Sequence, residues 1–272
     1  MACVLTTPRR LTALIATTAL VLAGCGSSDD DGGDEAKSSA TTVENCGLDV
    51  EVDGPPERVY AAYQPAIEVA HALGLGDTLV GTAFLDSQVL PEYTDAQKEA
   101  PYVNKLPSRE GMLKEKPDFV LSGFNGIFAE SGQEASFGTR GDLAELGVQS
   151  WILSPLCPSE DGLTDEAIDP ATVNVETIHD DLRDLGEIFD AEDEAEEVIA
   201  DQKERIAAVE KAVKGKDRPT VAIVSLREDG SFGVASGIDF GTQIIEHAGG
   251  TNAFEDLDEK RNVDVEVEQL IK

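Results

Sequence analysis

The side chains able to do chemistry in this chain are three histidines, four cysteines and a large excess of carboxylates. His71, His179 and His247 each stand on a segment with helical patterning, and none has a second histidine at metal-ligand spacing. Cys46 and Cys157 likewise lack nearby histidine or cysteine, which disfavours a zinc site. Acids number 54 against 21 Lys and Arg, so carboxylate pairs occur throughout and single out no general acid or base. No Gly-x-Ser-x-Gly elbow, Walker loop or His-Glu-x-x-His pair is present. Asp29–Asp31 stands in a low-complexity stretch and makes no calcium loop. The expectation is a protein that is not an enzyme, with no cofactor and no metal held by its own side chains.

The formal net charge of -33 argues against nucleic acid, which needs clustered cations, and against a polybasic membrane patch. It reads as a strongly solvated acidic surface, with an acidic site for a cationic ligand as the sharper alternative. Hydrophobic residues make up 41% of the chain, enough for a core and too many for a wholly disordered chain.

The amino terminus carries a basic stretch ending at Arg9 and Arg10, then an apolar run over Leu11–Leu22, the pattern of a secretory signal. Leu22-Ala23-Gly24-Cys25 resembles a bacterial lipobox, which implies cleavage before Cys25 and lipidation of its thiol. Residues 1–24 are thus the expected signal peptide, and 25–45 the lipidated cysteine and a flexible tether rich in Ser, Gly and Asp. With Cys3 in the signal and Cys25 at the anchor, Cys46 and Cys157 remain, in a compartment that permits disulfides. A Cys46–Cys157 bridge is expected; two buried free thiols are the alternative.

The elements beyond the tether alternate. Arg58–Tyr63, Thr78–Thr82, Asp118–Ser122 and Gln149–Leu153 read as strands. A helix runs over Pro65–Leu73, where Ile67, Ala70 and Leu73 share a face. A second is capped by Ser108 and stopped by Pro117, and a third closes at Gly147. This predicts a parallel α/β lobe over residues 46–175. Residues 176–216 are helix-compatible with a break near Phe189–Asp190, and Ala191–Val213 forms one helix of about 35 Å at roughly 1.5 Å per residue, long enough to link two lobes. Over 217–272 the strand pattern resumes with Thr220–Leu226, read as a buried strand, then Ser231–Ala235 and a helix over Phe240–His247. AIEVAHALGLGD (Ala66–Asp77) and TQIIEHAGGTN (Thr242–Asn252) echo each other as a weak internal repeat. Trp151, inside a strand, reads as core.

In this order and spacing the chain resembles the iron-siderophore, haem and cobalamin class of ABC-transporter binding proteins. The resemblance is carried by PPERVYAAYQPAIEVAHALGLGDTLVGT (Pro55–Thr82), EGMLKEKPDFVLS (Glu110–Ser122), DLRDLGEIFDAEDEAEEVIADQ (Asp181–Gln202) and IIEHAGGTNAF (Ile244–Phe254). It implies two Rossmann-like lobes joined by a long helix, the second lobe shortened at Lys272. It further implies an extracytoplasmic, lipid-anchored monomer that hands a ferric siderophore, or alternatively haem or cobalamin, to an ABC permease and its ATPase. A non-transport interaction protein on the same fold is the rival reading.

Binding proteins of this class hold ligand between lobes, and open α/β sheets bind at strand carboxyl ends. That places Tyr63, Gln64, Phe84, Leu85, Phe124 and Asn125 at the site from the first lobe, with the Gly123–Gly138 loop beside them. Arg227 and Phe232 are the candidates from the second lobe. Tyr63 is the one candidate haem ligand. By position, Glu99 and Glu246 resemble the exposed glutamates, one per lobe, that dock onto the permease.

Overall fold

The computed structural model describes residues 40–130, 137–160, 162–164, 168–227, 230–258 and 260–270. The signal segment and Cys25 lie outside the described residues.

Folding order begins earlier than the tether expectation allows. Thr41–Asn45 (β1) pairs antiparallel with Leu48–Val52 (β2). Cys46 and Gly47 form the two-residue turn with φ of 52° and 76°, the left-handed pair that matches strand twist. The alternation of Val43, Val50 and Val52 with polar neighbours is the signal for this hairpin, and it removes the last five residues from the expected tether.

The first lobe is a five-stranded parallel sheet ordered β5-β4-β3-β6-β7, made of Val59–Ala62 (β3), Leu79–Ala83 (β4), Tyr102–Val103 (β5), Phe119–Ser122 (β6) and Gln149–Ile152 (β7). Its central strands are buried on both faces, as helix-covered parallel sheets require. Period-two alternation divides them. Val59, Ala61, Phe119, Leu121 and Trp151 enter one core with Ile67 and Ala70 of helix α1 (Gln64–Ala72). Tyr60, Ala62, Val120 and Ile152 enter the other, with Met112 of α3 (Arg109–Lys114) and Leu143 of α4 (Arg140–Ala144). Short α2 (Thr94–Glu99) precedes β5. Ser108 caps α3 by accepting from the Gly111 amide at 3.2 Å.

The hairpin is stitched to β7 and to the segment just after it on three counts. Asn45 donates its Nδ2 to the Ile152 carbonyl and accepts the Ile152 amide at its Oδ1, both at 2.9 Å. Arg140, buried at the start of α4, donates to the Asn45 carbonyl at 2.8 Å and to the Ser150 carbonyl and hydroxyl at 2.7 and 3.0 Å. Its burial lowers the guanidinium pKa to about 10. A disulfide joins Cys46 to Cys157, with Cα atoms 5.3 Å apart.

Helices α5 (Val175–Phe189) and α6 (Glu192–Val213) meet at Asp190, whose φ of 53° makes the break expected there. Arg183 of α5 binds Glu196 of α6 at 2.9 Å. At about 1.5 Å per residue α6 runs about 33 Å. Its far end meets the second lobe, where Glu210 contacts His247 at 2.7 Å.

The second lobe holds a three-stranded antiparallel sheet, β9 (Val224–Leu226), β10 (Phe232–Ala235) and β12 (Asn262–Val265), with β10 central. A parallel pair of Thr220–Val221 (β8) and Thr251–Asn252 (β11) lies on either side of α7 (Phe240–His247) in sequence, and α8 (Val267–Leu270) follows β12. The internal repeat has a structural counterpart: α1 and α7 each give way to a left-handed glycine, Gly74 and Gly249, and then to a parallel strand. One expectation is corrected. Thr220–Leu226 is two short strands and is exposed, with Ile223 at 45% and Leu226 at 72%. β10 and β11 pair with its two strands and Ile223 touches the start of α7 at Gly241, yet its apolar side chains stay exposed.

Candidate functional site

The parallel register brings Ala62 level with Ala83 and with Ser122. The next residues out of these strands therefore emerge together. Tyr63 and Phe84 have ring centroids 5.0 Å apart, and Tyr63 and Phe124 5.1 Å. Both Tyr63 (φ 71°, ψ 151°) and Phe84 (φ 63°) hold positive φ. Such conformations cost about 1–3 kcal/mol each in a residue with a Cβ and persist only where neighbours enforce them. Here the ladder enforces them. Tyr63 donates to the Ala83 carbonyl at 2.9 Å, and Phe84 to that of Val103 at 3.2 Å. Pro65, in the first turn of α1, fixes the departure of the chain. Phe124 is set by Ser122, whose hydroxyl donates to the Phe124 carbonyl at 2.8 Å and accepts its amide at 3.0 Å. Its ring lies back over Gly126, where a Cβ would come within 2.6 Å of ring carbons.

These rings wall a cleft of about 400 Å³ completed by Pro65, Asp86, Gly123, Leu156 and Arg261. Arg261, just before β12, brings a cation from the second lobe; its Nε lies 3.5 Å from Asp239 Oδ2. Flat aromatic faces and a guanidinium lining one cleft suit a bulky ligand with apolar surface and anionic oxygens.

The other expected residues are placed as follows. Gln64 spans from α1 to the loop after β4, donating to Glu68 at 3.0 Å and accepting from the Ser87 amide at 2.9 Å. Leu85 packs on the core and its amide donates to the Tyr102 hydroxyl at 3.3 Å. Asn125 is fully buried and donates to the Leu156 carbonyl at 3.0 Å, holding a cleft-wall residue in place. Arg227 lies away from these aromatics, paired with Asp264 at 2.5 Å, and Phe232 stands between Leu226 and Val265 in the antiparallel sheet. Neither lines the cleft. Arg261 takes the position expected of Arg227, and a charged run, DEKR, gave no sign of it. Leu156 follows β7 and was open to the same strand-end reasoning that found the aromatics. Glu99 and Glu246 are exposed on α2 and α7. Part of the Gly123–Gly138 loop, residues 131–136, lies outside the described residues.

None of the histidines faces this cleft. His71 pairs with Gln97 at 2.8 Å, His179 is buried 3.6 Å from Glu176, and His247 binds Glu210. Among the described residues no three His, Cys, Asp or Glu side chains form a metal-holding group.

A parallel lobe, a second lobe and an aromatic cleft at the strand ends are the layout of a solute-binding protein. The chain belongs to the periplasmic binding protein family, whose model matches residues 59–272. It is 27% identical to a solved ABC-type Fe3+-hydroxamate transport system protein from Saccharomonospora viridis DSM 43017, with a TM-score of 0.67 over 85% of this chain and 76% of that one. It is 25% identical to a periplasmic binding protein from Veillonella parvula dsm 2008, with a TM-score of 0.68 over 85% and 73%. The periplasmic heme-binding protein RhuT from Roseiflexus sp. RS-1, at 22% identity and TM-score 0.57 over 79% and 72%, shares the fold. No curated protein matches the chain. The family is extracytoplasmic, and among the described residues no helix is long and apolar enough to cross a membrane.

Proposed function

We propose that this protein is the lipid-anchored binding component of an ABC importer and that its cargo is a ferric hydroxamate or similar anionic metal chelate. The observation that carries the reading is the Tyr63–Phe84–Phe124 group and Arg261 lining one cleft. A chelate brings its own metal ligands, so the cleft has only to supply flat contact and a positive charge. The hydroxamate assignment is supported by the 27% identical Saccharomonospora viridis protein. In this reading Cys25 carries the lipid, Glu99 and Glu246 engage the permease, and the monomer presents the loaded cleft between them.

The test is a fluorescence titration of the mature chain with ferric trihydroxamate, ferric tricatecholate, haem and cobalamin, corrected for ligand absorption. Saturable binding of the trihydroxamate is expected. Phe124→Ala is expected to weaken it by about tenfold or more, the worth of a lost aromatic contact face. Saturation by haem or cobalamin alone would transfer the cargo to that class. No saturation by a chain whose circular dichroism shows it folded would sink the transport reading.

A further inference from the structure

A second cavity of about 410 Å³ opens behind the cleft, between α1, α5, α6 and the second lobe. Pro65, Leu156 and Arg261 line both spaces, so the two adjoin at those residues. Its walls are overwhelmingly apolar, including Val69, Ala72, Ile178, Leu182 and Val198. The acids on its lining are already engaged. Asp181 accepts from the Trp151 indole at 3.0 Å and from the Ser154 amide and hydroxyl at 2.7 and 2.6 Å. Glu68 accepts from Gln64 at 3.0 Å and from the Leu90 amide at 3.1 Å. With these carboxylates turned to internal donors, the space offers a guest little but hydrocarbon. Arg261 lines both this space and the aromatic cleft.

We propose that this cavity takes the alkyl or acyl tail of an amphiphilic ligand whose anionic or chelating head lies at Arg261 and the aromatic cleft. This rests on the chelate reading and deepens it: the cargo class becomes a tailed chelate, and the cavity sets specificity by chain length. Apolar surface leaving water supplies the selectivity. Burying one methylene is worth about 0.8 kcal/mol, or roughly a fourfold gain in affinity. If a methylene takes roughly the 30 Å³ share of a liquid water, about a dozen fill the space.

The probes are linear alkanoates from hexanoate to dodecanoate, held below their micelle concentrations, and a ferric trihydroxamate with and without a decanoyl tail, titrated calorimetrically. Affinity of the alkanoates is expected to climb about fourfold per methylene. The tailed chelate is expected to outbind the bare one. Val198→Trp, with Ala72→Phe as a second filler, is expected to flatten the series while the bare chelate binds as before. A flat alkanoate series in the folded wild type, or a slope that both fillers leave intact, overturns the proposal. Binding of the bare chelate beside a flat series sinks the tail pocket alone. A steep series without chelate binding sinks the cargo reading alone and leaves the cavity an alkyl site.

Discussion

Asp181 sets a pH dependence whose size follows from its surroundings. The residue is 2% exposed, and Trp151 and Ser154 direct three donors at it. Those bonds favour the ionised carboxylate, but loss of water outweighs them, and with Asp184 nearby the pKa rises from 3.8 to about 7. The folded protein therefore keeps a proton that the unfolded chain has released by pH 5. A carboxyl moved so far contributes on the order of 4 kcal/mol. That stability is fully present below about pH 4 and is lost as pH rises through 7. Between pH 4.5 and 8 the loss is about 3 kcal/mol. Many other acids titrate in this chain, so the measurable quantity is a difference. In Asp181→Asn the amide does not titrate, and its clash with the Ser154 amide costs the same at every pH. Urea melts of both proteins at intervals from pH 4.5 to 8 should show wild type losing about 3 kcal/mol relative to the variant, with a Trp151 fluorescence change centred near pH 7 in wild type only. A constant difference across that range would show that the hydrogen bonds win over burial and that Asp181 is ionised throughout.

Two further outcomes concern the hairpin. The Cys46–Cys157 bridge closes a separation of 111 residues, which by loop entropy is worth about 5 kcal/mol. The double serine variant should lose 2–5 kcal/mol in urea melts; a loss below about 1 kcal/mol would show that the bridge constrains the unfolded chain little. Arg140→Met keeps the apolar stem but strips partners from Asn45 and Ser150, and should cost about 2–4 kcal/mol, with hydrogen exchange at Asn45 and Ile152 rising first.

The first lobe was legible because both-face burial writes itself as apolar runs between Pro and Gly punctuation. RVYAAY, TLVGT and DFVLS needed no tertiary knowledge, and the strand-end rule led from them to Tyr63, Phe84 and Phe124. The hairpin was hidden by its setting: Thr41–Asn45 continues a Ser-rich stretch, and its docking depends on one asparagine side chain and a distant arginine. Arg261 was hidden for a different reason. Its role comes from where the second lobe places residue 261, and nothing local separates it from Lys260 or Arg227. The exposure of Thr220–Leu226 was likewise not local, since an apolar run states what a strand prefers and not what lies over it.

The covalent link at Cys46 also fixes how the molecule bears load. Tension entering through residue 40 and leaving through the second lobe passes along β1 to Cys46 and crosses directly to Cys157. Residues 47–156 form a closed loop off that line. Tyr63, Phe84, Phe124 and Leu156 all belong to the bypassed loop. The covalent path of a pull on the amino-terminal side therefore runs through the bridge and the chain beyond Cys157, and the aromatic wall of the cleft lies outside it.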